Sequence, residues 1–151
     1  MELRSELLPN ASEERILMIR KKIEEIEACL HNKEKSKELI QLFNRETGRN
    51  YDMEYFQNYW KAEDIEDFAL HAAQPVPQKV TDITKEELVE VVQRISNADE
   101  NVHFYLELLD QNLPHPRISN LIYWPNEEGL SDDVTAEQIV EIAMQYKPMQ
   151  L

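Results

Sequence analysis

Apolar residues recur at intervals of three and four along most of this chain, the spacing of one buried face of an α-helix. Ser12 is a good helix cap, and Ile16, Ile19, Ile23, Ile26 and Leu30 follow it, predicting a long amphipathic helix over residues 12–31. Ser36 opens a second predicted helix carrying Leu39, Ile40, Leu42 and Phe43, with Gly48 as its stop. Asp52 caps a short third with Tyr55, Phe56, Tyr59 and Trp60. A fourth covers residues 62–73 with Ile65, Phe68, Ala69 and Ala72 inward. The segment Gln74-Pro75-Val76-Pro77-Gln78 has no helical option and reads as a linker.

The second half follows the same plan. Thr84-Lys85-Glu86-Glu87 is a capping box, and Leu88, Val91, Val92 and Ile95 form the stripe behind it. Asn97-Ala98-Asp99 breaks that helix. The next, over residues 99–112, is predicted to bury Val102, Leu106 and Leu109, leaving Glu100, His103, Phe104, Glu107, Asp110 and Gln111 on its other faces. A short aromatic element follows, then a last helix over 134–146 with Ile139, Ile142 and Ala143 inward. The fold class is all-α: two small helical domains, residues 1–74 and 80–151, joined by a proline-containing linker at 75–79. Ala62-Glu63-x-Ile65-x-x-x-Ala69 and Ala136-Glu137-x-Ile139-x-x-x-Ala143 share one spacing. This reads either as a diverged tandem duplication or as coincidence among common helix residues.

Composition narrows the function. Only two glycines occur in 151 residues, and a 42% hydrophobic content supports packed cores. Thirty acidic against sixteen basic residues leave a net charge of −14. Phosphate backbones repel such a chain, so nucleic acid is not an expected partner. A basic protein is the electrostatic complement, although acidity also serves solubility alone. Cys29 is the only cysteine, so no internal disulfide framework exists. No apolar run approaches a membrane span. A cytoplasmic location is expected, with no membrane association.

The most distinctive segment is His115-Pro116-Arg117-Ile118-Ser119-Asn120-Leu121-Ile122-Tyr123-Trp124-Pro125. Prolines bracket it, and Pro125 pushes Trp124 out of the α region, so it reads as one short helical turn. Adjacent helical residues point about a hundred degrees apart, so Tyr123 and Trp124 cannot both face one core. At least one should stand exposed, as an interface anchor does. Tyr59 and Trp60 share the geometry without a preceding proline, and core or inter-domain packing is expected there.

Residues from about 80 onward resemble the immunity proteins of DNase-type colicins and pyocins. The resemblance rests on Ile83-Thr84-Lys85-Glu86-Glu87-Leu88, on Ile95-Ser96-Asn97-Ala98-Asp99, on the His115–Pro125 run and on the short acidic loop before the final helix. It implies a four-helix domain with a very short third helix. It also implies tight binding to the nuclease domain of a cognate toxin, beside the active site, excluding DNA by bulk and negative charge. By the same resemblance Asn120, Tyr123, Trp124 and Pro125 would supply most of the affinity. Asn101, His103, Phe104, Glu107, Asp110 and Gln111 on the second helix would select the toxin. The chain departs from the pattern at Asn120, where the family has aspartate, and at Trp124, where it has tyrosine. Arg117 and Ile118 replace a serine-glycine pair, and the second helix is about one turn shorter. The first half has no counterpart in single-domain members.

No nucleophile stands at a recognisable spacing from a base, and no glycine-rich phosphate loop occurs. His31, His71, His103 and His115 show no paired spacing with Cys29, so neither metal nor cofactor is expected. The expected function is therefore non-enzymatic: an immunity protein that inhibits a nuclease-type toxin, with a homodimer also open. The alternative is an acidic helical adaptor for another basic protein.

Overall fold

Short polar side chains set most of the helix starts in this protein, for which a computed structural model describes residues 1–147. Ser12 accepts from the Arg15 amide to open α1 (Glu13–Ala28). Asn32 accepts from Lys35 to open α2 (Lys33–Thr47), and Gly48 ends it in the left-handed region. Asp52 opens α3 (Met53–Asn58), which runs into a 3-10 turn at Tyr59–Lys61, and Asp64 opens α4 (Ile65–Ala73). Capping boxes begin α5 (Lys85–Ser96) at Thr84 and α8 (Ala136–Gln145) at Thr135. Between them lie α6 (Val102–Asn112), α7 (Ile118–Tyr123) and a 3-10 turn at Pro125–Glu128. No strand occurs among the described residues.

Several predicted boundaries move for local reasons. Ser36 does not open α2; Asn32 caps it earlier, and the buried Ser36 hydroxyl bonds back to the Asn32 carbonyl. The fourth helix begins at Ile65 because Asp64 supplies the cap and residues 59–61 close as 3-10. The last begins at Ala136, after Thr135. The α5 helix ends in a Schellman motif, with the Asp99 amide on the Arg94 carbonyl and the Ala98 amide on that of Ile95. Ala98 takes the left-handed position at φ 57°, so α6 starts only at Val102.

The chain forms two compact units. One is residues 9–76. Its core gathers Ile19, Ile23 and Ile26 of α1, Ile40 and Phe43 of α2, Phe56 of α3 and Phe68, Ala69 and Ala72 of α4. Phe43, Phe56 and Phe68 meet edge-on or tilted, with ring centroids 5.4–6.0 Å apart.

The other unit joins residues 77 onward to Met1–Leu8. Its core gathers Leu88, Val91, Val92 and Ile95 of α5, Phe104, Tyr105, Leu108 and Leu109 of α6, Ile118 and Leu121 of α7, and Ile139, Val140 and Ala143 of α8. Leu3 and Leu7 are buried in the same core. Arg4 forks onto both Glu87 carboxylate oxygens at 2.9 Å and reaches Asp82 at 3.0 Å. The predicted division placed residues 1–74 together. The first eight instead complete the C-terminal unit, because two leucines and an arginine find their partners there. The predicted end of that unit, residues 148–151, lies outside the described residues.

The shared Ala-Glu-x-Ile spacing falls out of step with the helices. Ala136 is the first residue of α8, whereas Ala62 precedes the cap of α4. Aligned by their caps Asp64 and Thr135, the two helices instead match Phe68 with Ile139, Ala69 with Val140 and Ala72 with Ala143, all buried.

Candidate interaction surface

The α7 helix has six residues, too few to hold itself in water. Packing fixes it: Ile118 and Leu121 are buried on its inner side, and their burial turns its last residues outward. Tyr123 is 44% exposed and Trp124 55% exposed, with ring centroids 5.9 Å apart. Trp124 leaves the helix at φ −135° and ψ 59°, outside the α region that a following proline disfavours. Its amide still bonds the Asn120 carbonyl at 2.8 Å, so the indole springs from an anchored backbone. The Tyr123 hydroxyl, the Trp124 indole N–H and the Asn120 side-chain amide make no hydrogen bond among the described residues. Partial burial raises the Tyr123 pKa, keeping the phenol a neutral donor. Two large rings with unused polar tips are what an interface anchor needs. Asn120 and Pro125 flank them, each half-buried.

His115 and an Arg117–Glu128 pair hold the turn in place. His115 is buried, and its Nδ1 accepts from the Arg117 amide at 3.0 Å. Its ring lies against Tyr146, with centroids 4.7 Å apart. Desolvation, then the nearby Arg117 cation, lowers the His115 pKa, while Glu128 opposes them. Arg117 pairs with Glu128 of the following 3-10 turn. The start of α7 is thus tied to the segment after Trp124.

The outward side of α6 is acidic. His103, Asp110 and Gln111 are exposed, and Asn101 and Glu107 are half-buried. Asp110 has its pKa raised, first by partial desolvation and then by the like charge of Glu107. Phe104 does not belong to this face: it is 2% exposed and sits in the core. The buried stripe of α6 is Phe104, Tyr105, Leu108 and Leu109, while Val102 and Leu106 are only partly covered. Tyr105 occupies its place with its hydroxyl accepting from Arg94 at 2.8 Å, which turns the stripe toward α5. The pair Phe104-Tyr105 one turn before Leu108-Leu109 was the sequence signal for this.

Charge is concentrated in the unit that carries this surface. Residues 1–8 and 77–151 hold 16 acidic and 6 basic side chains, a net of −10; residues 9–76 hold 14 and 10, a net of −4. Elsewhere, the aromatic pair of the first half divides: Tyr59 is buried, and Trp60 is 66% exposed rather than packed. The described residues contain no group of three His, Cys, Asp or Glu placed to hold a metal. No helix among them is long and apolar enough to cross a membrane.

The family model for colicin immunity protein / pyocin immunity protein matches residues 80–149. An uncharacterized protein, YezA, of Bacillus subtilis (strain 168) is 48% identical over 68 residues, covering 43% of this chain and 93% of that protein. No solved structure gives a significant match. The helical frame α5–α8, the short aromatic α7 and these matches place the chain, through its C-terminal unit, in the colicin/pyocin immunity protein family.

Proposed function

We propose that this protein is a non-enzymatic immunity protein of the cytoplasm that neutralises a nuclease toxin by tight, non-covalent binding. The observation that carries the reading is the exposed Tyr123–Trp124 pair on a turn whose inner residues are locked in the core. In the proposed complex these rings enter the toxin surface, and Asn120 and Pro125 border them. Asn101 at the start of α6 and His103, Glu107, Asp110 and Gln111 along it form the selective contact. The net charge of −10 on this unit favours a basic nuclease domain and speeds the encounter. Bound beside the active site, an acidic body of this kind also repels DNA. Asn120 lacks the charge of the aspartate seen elsewhere in the family, so its contact is a neutral hydrogen bond, weaker than a charge-assisted one.

Co-expression tests the proposal. Cells producing the nuclease domain of a cognate colicin/pyocin-type toxin should survive only when the protein is present. Equal killing with and without it would overturn the proposal.

A further inference from the structure

The unit formed by residues 9–76 has an exposed aromatic of its own, on a similar passage from short helix to 3-10 turn. The short helix α3 ends at Asn58, and Tyr59 and Trp60 open the 3-10 turn that follows; Tyr123 ends α7, and Trp124 leads into Pro125–Glu128. Tyr59 is the inward member: it is buried, and its hydroxyl bonds Glu27 of α1. Trp60 is the outward member, at 66% the more exposed of the chain's two tryptophans. Its indole N–H bonds the Gln57 carbonyl at 2.8 Å, which fixes the ring before anything docks. Ordering such a ring on binding costs little.

The surrounding charge says what would dock. Residues 52–67 hold six carboxylates, Asp52, Glu54, Glu63, Asp64, Glu66 and Asp67, against one cation, Lys61. The rest of the unit holds eight acidic and nine basic residues, and one of those cations, Arg20, pairs with Glu66, so the stretch around Trp60 in sequence keeps a net negative charge. The Lys61 ammonium already sits 5.7 Å from the indole centroid, so this ring accepts a cation on its face.

We infer that the Trp60 face is a second docking surface for a basic protein, acting independently of Tyr123 and Trp124. This partner class is the one the toxin-binding reading assigns to α7, and the inference rests on that reading for its probe. The chain would then engage two basic surfaces, one per unit.

Fluorine NMR of the full chain labelled with 5-fluorotryptophan gives one resonance per unit, because each unit has one tryptophan. The probe is the unlabelled nuclease domain against which the protein protects cells in co-expression. The Trp60 resonance should shift on titration, still shift in Tyr123→Ala, and need about fivefold more probe in Glu54→Lys, the effect of reversing one rim charge. A Trp60 resonance unmoved while that of Trp124 moves would overturn the inference and leave the α7 reading intact. Movement at Trp60 alone would uphold it and refute the role of Trp124. Loss of both shifts in Tyr123→Ala would show one composite surface and overturn it. A Trp60 shift that follows protein concentration without probe would assign the face to a second copy and overturn it. No shift at either resonance would overturn both readings.

Discussion

Replacing Trp124 by alanine removes the larger of the two proposed anchors. A tryptophan side chain spans about 250 Å², so the 55% left exposed is roughly 140 Å² available to a partner. At about 25 cal/mol per Å² its full burial is worth about 3.5 kcal/mol. Affinity should therefore fall by roughly two to three orders of magnitude. Tyr123, 44% exposed, offers about 90 Å² and about 2 kcal/mol on the same basis. The rest of the indole, roughly 110 Å², is already covered in the folded chain, so Trp124→Ala should also lower folding stability, by up to about 3 kcal/mol. Isothermal titration of the nuclease domain reads the affinity, and urea unfolding reads the stability. A binding loss below about 0.5 kcal/mol with the fold intact would remove Trp124 from the anchor role.

Other parts of the account are testable separately. Ala98 stands at a left-handed helix stop, so Ala98→Gly should raise stability by about 0.5–1 kcal/mol in urea unfolding; no gain would deny strain there. Leu7 is fully buried in the C-terminal core, so Leu7→Ala should cost about 2–5 kcal/mol, and an unchanged unfolding curve would show that the first eight residues are not part of that unit. His115 has its pKa lowered below the ordinary 6.5 by burial and by Arg117, so its neutral form contributes stability that is complete above about pH 6.5. That stability is lost as pH falls through the lowered value, because a protonated Nδ1 cannot accept the Arg117 amide. His115→Asn keeps an acceptor two residues before that amide, and its melting should be less sensitive to pH below 6.5; equal sensitivity would refute the link.

The features legible in the sequence were those with local causes. Thr84 and Glu87 announce their capping box within four residues, and Ser12 and Asp52 cap the helices expected of them. Adjacency and Pro125 require that at least one of Tyr123 and Trp124 turn outward; burial of Ile118 and Leu121 turns both. Features that depend on distant partners were not legible. Leu3 and Leu7 share a single four-residue spacing, too short a signal to assign them to a unit, and their place and that of Arg4 are set by Asp82, Glu87 and the α5–α8 core. Phe104 was misplaced because Val102, Leu106 and Leu109 also make a plausible helical stripe. The choice between stripes was made by packing against α5, where Tyr105 meets Arg94. Trp60 was expected to be packed; its neighbour Tyr59 took the buried position, and a hydrogen bond to Glu27 holds it there.

DNA cleavage by the proposed partner, a colicin/pyocin-type nuclease domain, titrated with this protein, tests the central claim most directly. Wild-type protein should abolish plasmid cleavage once it reaches stoichiometric excess. The Tyr123→Ala/Trp124→Ala double variant, folded by circular dichroism, should leave cleavage running at the same concentrations. Unimpeded cleavage with wild type in excess would contradict the claim, and full inhibition by the double variant would contradict the assigned surface.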